Sequence, residues 1–128
     1  MSKRCVTAPK APAAVGPYSH ATIAGNLVFL SGQGPMAPDG SGPRRDSFEV
    51  EVRQTLDNIK AVLEGAGTDL EHVVKMNVYL ADMNDFAEMN GIYKEYFPSN
   101  PPARTTIQAG RLPLDFRIEI EAIAVLPQ

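Results

Sequence analysis

Arg104 and Glu119 are the residues of this sequence whose types and positions most readily suggest chemistry. Arg104 follows two prolines in "PPARTTIQAG" and precedes β-favouring residues, so we predict that it lies near the start of a strand. Glu119 lies near the start of another predicted strand, "RIEIEAIA". If these strands are sheet neighbours, Arg104 could grip a carboxylate while Glu119 orients or deprotonates a water. The alternative is a structural salt bridge between them.

Two further stretches carry polar groups that could contribute to a site. "GPYSHA" places Tyr18 after a rigid Gly-Pro, although a packed aromatic with its hydroxyl at the edge is the simpler interpretation. "SGQGP" contains Ser31 and Gly32 but is not a phosphate-binding loop, because it lacks the lysine. It predicts either a tight loop at a strand end or exposed backbone N–H groups that bind an anion or a carbonyl oxygen.

Other classes of site are disfavoured by composition. His20 and His72 lie far apart without a ligand-spaced cluster, so we predict no metal site. The single cysteine, Cys5, excludes an internal disulfide and favours a cytoplasmic protein. A net charge of −3 argues against general affinity for nucleic acid. No apolar run approaches the roughly 18 residues of a membrane span.

The periodicity of apolar residues predicts the elements that must position these groups. Residues 47–66 carry an apolar stripe at helical spacing, with Ser47 or Asp46 as the cap and Gly67 as the stop. A second helix is predicted at about 84–97, capped by Asp82 and ended by Pro98. The predicted strands are 3–7, 18–24, 27–32, 72–81, 103–109 and 116–125.

This order of elements predicts an α+β fold. Because each helix joins two strands, we expect a mixed six-stranded sheet with both helices on one face, formed by residues 1–128 as one domain. The other face is also informative, since alternation in the last strand places Glu119, Glu121, Ile123 and Val125 on one side. A half-apolar face indicates either burial in a symmetric oligomer or a partly wet face on a monomer.

Several motifs taken together resemble one family across about residues 10–126. They are "GPYSHA", "LVFLSGQGP", "QTLDNIKAVLEGAG", "VVKMNVYLADMNDFAEMNGIYKEYF", "PPARTTIQAGRLP" and "RIEIEAIA". These motifs are similar to those of the reactive intermediate deaminases, the RidA or YjgF family. The resemblance implies a chorismate-mutase-like fold and a homotrimer whose sheets line a central barrel, with ligand sites between subunits. It also implies hydrolysis of enamines or imines such as 2-aminoacrylate and 2-iminobutyrate to 2-keto acids and ammonia, without metal or organic cofactor.

The resemblance carries the family's site onto seven positions. Arg104 corresponds to the arginine that binds the substrate carboxylate, and Glu119 to the glutamate that orients water. Thr106 stands where many members have cysteine, so thiol chemistry there is lost although backbone contacts could remain. The substrate-binding positions implied by the family are Tyr18, Ser31, Gly32, Asn90 and Thr106.

A binding protein without turnover is the competing hypothesis. The same pocket would hold a 2-keto acid or related carboxylate as a sensor, and Arg104 would matter equally. Replacing Glu119 with glutamine would then leave affinity largely unchanged. The older ribonuclease label of some relatives finds no physical support in this sequence, because no basic patch accompanies the negative net charge.

Overall fold

Two helices and six strands form in the computed structural model of the chain, which describes residues 2–128. This arrangement confirms the predicted α+β class with a six-stranded mixed sheet. The helices are α1 (Phe48–Gly65) and α2 (Phe86–Tyr96). The strands are β1 (Arg4–Val6), β2 (Ala21–Ala24), β3 (Leu27–Leu30), β4 (Val73–Leu80), β5 (Ala103–Gln108) and β6 (Ile118–Val125).

Helix α1 begins and ends at the residues that the sequence predicts. The Ser47 side chain accepts a hydrogen bond from the Val50 N–H and so satisfies one free donor of the first turn. Gly67 follows the helix with a φ of 89°, a conformation that glycine adopts without steric cost. The apolar stripe is fully buried, at about 1.5–3 kcal/mol for each large aliphatic side chain, and consists of Val52, Leu56, Ile59, Val62 and Leu63.

Helix α2 starts two residues later than predicted because a short 3₁₀ turn precedes it. This turn spans Met83–Asp85, and Asp82 caps it by accepting from the Asn84 N–H at 2.9 Å. The buried side of α2 holds Met89, Ile92 and Tyr93. Neither helix in residues 2–128 is long and apolar enough to cross a membrane.

The strand order in the sheet is β1-β2-β3-β6-β4-β5. The predicted hairpin is confirmed, since β2 and β3 are antiparallel and Gly25 in the turn has a φ of 62°. Strands β4 and β5 are parallel, and α2 connects them as a crossover. Strand β6 lies between β3 and β4 and is antiparallel to both. The sheet is therefore mixed, and β6, the last strand in the chain, occupies a central position in it.

The sheet has one face covered by the helices and one open face. Along β6 the burial alternates strictly, with Ile118 and Ile120 buried beneath the helices. Glu119 and Glu121 project from the open face, as the sequence predicts. The apolar part of the open face includes Leu27 and Phe29, which are 38% and 40% exposed.

The condition under which Arg104 and Glu119 would approach one region of a single chain, that their strands are sheet neighbours, is not met. Strand β4 separates β5 from β6, so the two strands are not neighbours. Met76 pairs with Arg104 on one side and Ala122 on the other, which places Arg104 on the helix-covered face. Glu119 pairs with Tyr79 on the opposite face. The two candidate residues therefore lie on opposite faces of the sheet.

Candidate functional site

Glu119 lies in a cleft of about 650 Å³ at the start of β6. Three other predicted site residues, Tyr18, Ser31 and Gly32, line the same cleft, so the structure brings four of the seven together. The remaining wall is mainly apolar and is formed by Pro12, Ala13, Val15, Gln33, Gly34, Met36, Pro113, Leu114 and Phe116.

Gly32 is required for its close approach to Glu119. A Cβ atom at this position would lie 2.5 Å from Glu119 Oε2, well inside contact distance. Burial raises the pKa of Glu119 above its usual value of 4.5, and the charge of Glu121 on the same face raises it further. The cleft therefore holds a carboxylate that accepts a proton more readily than an exposed glutamate does.

Hydrogen bonds to the chain before β2 fix the wall opposite Glu119. Ser31 Oγ donates to the Ser19 carbonyl at 2.6 Å, and the Tyr18 hydroxyl accepts from the Val15 N–H at 3.2 Å. His20 is buried; its Nδ1 accepts from the Ala8 N–H and its Nε2 donates to the Pro12 carbonyl, both at 2.8 Å. His20 therefore has a structural role, in holding the loop that lines the cleft.

Strained backbone forms the rim of this cleft. Leu114 and Asp115 have φ values of 55° and 54°, a region that leucine rarely occupies. Arg45 donates to the Leu114 carbonyl at 2.5 Å, and Arg111 pairs with Asp115 through two hydrogen bonds of 2.8 and 3.2 Å. These contacts hold the strained turn in place, with the Leu114 side chain 55% exposed.

Arg104 lines a second, shallower groove of about 400 Å³ between α2 and the start of β5. Its guanidinium carbon lies 4.7 Å from the centre of the Tyr93 ring and 5.6 Å from that of Phe86. Both distances are within the range of a cation–π contact. Among residues 2–128 no acidic side chain pairs with Arg104. The groove therefore presents an arginine whose charge is not neutralised by the chain itself.

Three residues of α2 and β5, the elements that meet at Arg104, carry unpartnered polar atoms. Asn90 lies between Phe86 and Tyr93 on one side of α2, and its Oδ1 is buried without a hydrogen-bond partner. Thr106 Oγ1 and the Tyr93 hydroxyl are also buried and unpartnered. Burial raises the pKa of Tyr93 to about 12, against the opposing effect of Arg104. Buried orphan groups are uncommon in folded proteins, and two of the predicted site residues, Asn90 and Thr106, carry one each, as does Thr55 in α1.

The seven predicted residues thus form two half-sites rather than one. We call the cleft with Tyr18, Ser31, Gly32 and Glu119 the carboxylate half-site. The region with Asn90, Arg104 and Thr106 is the arginine half-site. The alternative of an Arg104–Glu119 salt bridge is not observed within residues 2–128.

Residues that the sequence analysis did not connect with the site complete both half-sites. Phe86 and Tyr93 lie on one side of α2, yet Phe86 is 38% exposed and its ring centre lies 5.6 Å from the Arg104 guanidinium carbon. The spacing of these two aromatic residues is visible in the sequence, because residues seven apart lie on the same side of a helix. Leu114 gave no such signal, since leucine does not favour positive φ.

No group of three or more metal-ligating side chains occurs in the described part of the chain. Cys5 is exposed on the edge strand β1. His72 lies at the surface and pairs with Asp69 at 2.6 Å. Neither Cys5 nor His72 lines the cleft with Glu119 or the groove with Arg104.

Comparison with known proteins places the chain in a family. A family model described as Endoribonuclease L-PSP matches residues 8–126. The chain belongs to this family, which is the YjgF/RidA family that the sequence motifs resemble. A RutC family protein of Pyrococcus horikoshii is 48% identical over 95% of this chain and 97% of its own length. The human 2-iminobutanoate/2-iminopropanoate deaminase is 44% identical over 96% of this chain and 90% of its own.

Solved structures agree with this assignment. The crystal structure of E. coli TdcF with bound serine superposes with a TM-score of 0.89 at 38% identity. The match covers 97% of this chain and 99% of TdcF. A member of the same fold group thus binds a small amino acid.

Proposed function

We propose that this protein is a hydrolase that deaminates small 2-imino acids to 2-keto acids and ammonia, with a site shared between two subunits. The observation that carries the proposal is Arg104, a partly buried cation on aromatic rings without an acidic partner in residues 2–128. The planar guanidinium group of an arginine can bind a carboxylate through two parallel hydrogen bonds. The names of relatives at about 45% identity, 2-iminobutanoate/2-iminopropanoate deaminases, support the same reaction.

In the proposed reaction, Arg104 binds the substrate carboxylate and Glu119 holds a water against the imine carbon. The water oxygen forms a bond to that carbon while Glu119 accepts one of its protons. This step gives a carbinolamine, and the proton then passes from Glu119 to its nitrogen. The carbon–nitrogen bond breaks as the keto group forms, and the remaining hydroxyl proton goes to the departing ammonia to give ammonium. The sum is an iminium acid plus water giving a 2-keto acid plus ammonium. The raised pKa of Glu119 suits it to accept and return a proton.

The other predicted residues complete the pocket in this proposal. Tyr18 and Ser31 face the substrate from the carboxylate half-site, and Gly32 leaves space for Glu119 and a water. Asn90 and Thr106 contribute polar groups beside Arg104, and their buried side-chain oxygens have no hydrogen-bond partner within residues 2–128. Because an imine hydrolyses in water unaided, positioning is the main catalytic contribution required.

The shared site requires assembly of identical chains. One chain presents Glu119 and Arg104 on opposite faces of its sheet, so a substrate that touches both must lie between two subunits. We propose the homotrimer that the family resemblance implies, with the open face turned inward. The partly exposed apolar residues of that face support burial in an oligomer. The cytoplasmic location stays a prediction.

The decisive experiment measures imine hydrolysis directly. 2-Iminobutyrate is generated enzymatically, and its decay and keto acid release are followed with and without the protein. We expect acceleration by wild type and a loss of at least about 100-fold in kcat/KM for Arg104→Ala, because each hydrogen bond to a charged group contributes roughly 1.5–3 kcal/mol. Arg4→Ala is the matched control, since Arg4 is an exposed arginine on the opposite edge strand.

Three results would overturn or redirect the proposal. No acceleration by wild type excludes the reaction, and equal acceleration by Arg104→Ala excludes the site. If wild type binds 2-oxobutyrate without turnover and Glu119→Gln binds equally well, the protein is a carboxylate-binding module instead. Calorimetry with 2-oxobutyrate alongside the kinetic assay separates these results.

A further inference from the structure

The two aromatic rings beside Arg104 can hold its guanidinium without occupying its N–H groups, which an acidic partner would occupy. A carboxylate from the chain would neutralise the guanidinium and occupy its N–H groups, leaving little for a ligand. An aromatic face attracts the cation through its quadrupole and uses none of the five N–H donors. Phe86 and Tyr93 provide two such faces, at 5.6 and 4.7 Å from the guanidinium carbon.

We propose that Phe86 and Tyr93 are positioning residues that hold the Arg104 guanidinium in the orientation that receives the substrate carboxylate. This inference rests on the proposed role of Arg104 as the carboxylate-binding residue. Phe86 is the first residue of α2 and is 38% exposed. The proposed role explains why an aromatic residue occupies this exposed position. The rings keep the side chain from sampling other rotamers, so less freedom is lost when the substrate binds.

The ring of Tyr93, rather than its hydroxyl, performs this role. Tyr93 is 6% exposed, and its ring centre lies 4.8 Å from that of Phe97, so neighbouring side chains hold it in place. Its hydroxyl has no partner within residues 2–128 and, with a pKa raised to about 12, stays protonated at neutral pH. Tyr93→Phe keeps the ring and is therefore expected to keep the affinity for carboxylates.

Phe86 allows the sharper test, because a partly exposed side chain is replaced by leucine with little change in stability. Phe86→Leu retains an apolar side chain and removes the ring, whereas Phe86→Tyr retains the ring. A cation–π contact of about 0.5–2 kcal/mol corresponds to a roughly 2- to 30-fold change in binding. Since the contact holds Arg104 in both ground and transition states, the change belongs in KM rather than kcat.

The experiment compares wild type with both Phe86 variants. Calorimetry gives the Kd for 2-oxobutyrate, and the imine assay gives KM and kcat separately, with thermal unfolding recorded for each protein. We expect Phe86→Leu to raise Kd and KM by roughly 2- to 30-fold with kcat nearly unchanged, as a cation–π contact predicts. Phe86→Tyr is expected to have the Kd and KM of wild type. All three proteins are expected to unfold at the same temperature.

The possible failures are distinguishable. If wild type neither binds 2-oxobutyrate nor hydrolyses the imine, the proposed function and this inference both fail. If wild type is active but Phe86→Leu has the same Kd and KM, only the inference fails. It fails equally if Phe86→Tyr is as impaired as Phe86→Leu, because the ring would then not be the feature that matters.

Discussion

The carboxylate half-site disfavours the charge of its glutamate, whereas the arginine half-site places its cation against aromatic rings. Glu119 lies against mainly apolar walls, where burial disfavours its charged form and raises its pKa. Arg104 lies on two aromatic rings, which favour its charge without an ion pair. The first arrangement makes a group ready to take a proton, and the second makes a permanent cation ready to take an anion. Each half-site lacks what the other provides.

The largest expected effect comes from mixing two inactive variants. Arg104→Ala and Glu119→Gln alone should each abolish most activity. If every site combines Arg104 of one chain with Glu119 of a neighbouring chain, each trimer that contains both variants has both residues intact in about a third of its sites. Co-expression with two different tags, purification through both, and the imine assay test this.

A failure of mixed oligomers to regain activity would contradict a site shared between two subunits. It would mean that the two half-sites act separately or that one of them is not part of the site. The control is the mixture of wild type with each single variant, which should retain about half of the activity by the same counting.

Gly32→Ala should give the next largest effect. The added Cβ would lie 2.5 Å from Glu119 Oε2 and must displace that carboxylate. Because the displaced atoms end a flexible side chain, stability should change little, but a shift of about 1 Å can cost on the order of 100-fold in kcat. Gly110→Ala is the matched control, since its Cβ would meet no atom within 4 Å. Equal activity of both variants would contradict the role of Glu119.

The pH dependence of stability should differ between wild type and Glu119→Gln. A raised pKa means that folding disfavours the Glu119 carboxylate, so its contribution to stability is full below its usual value of 4.5 and is lost as pH rises through the folded pKa. Glu119→Gln should therefore be more stable than wild type at pH 7, and the difference should shrink as pH falls through that folded pKa. Urea unfolding at several pH values and one protein concentration measures this.

The smallest expected effect concerns the buried hydroxyl of Thr106. Thr106→Val removes an unpartnered oxygen, so the free energy of unfolding should rise by about 1 kcal/mol. If the hydroxyl serves the substrate, kcat/KM falls about 3- to 10-fold, the effect of one neutral hydrogen bond. Thr55→Val is the control, because Thr55 carries a similar orphan oxygen in the core of α1 and should gain stability without losing activity. Unfolding curves and the imine assay separate the two roles.

Local signals in the chain predicted the elements well. Ser47 and Gly67 marked the ends of α1 because capping and positive φ depend on neighbouring residues. The Gly25 turn predicted the hairpin for the same reason. The starts of the strands were less accurate, since β2 begins at Ala21 rather than residue 18. A strand end depends on where its partner stops, which the local sequence does not record.

The family motifs named the candidate site residues but not their arrangement. The family motifs pointed to all seven residues, and four of them meet in the carboxylate half-site. Neither periodicity nor motif showed that Arg104 contacts Phe86 and Tyr93, because that contact joins a helix to a strand. Nor did they show the positive φ of Leu114, which Arg45 holds from a distant loop.

By itself the sequence determined which face of its own strand each residue occupies. Alternation along β6 placed Glu119 opposite Ile118 and Ile120, because neighbouring side chains of a strand point to opposite faces. Only the tertiary structure decided that β4 lies between β5 and β6 and that Arg104 therefore faces away from Glu119. Strand order depends on pairing between residues far apart in the chain, and no local pattern encodes that choice.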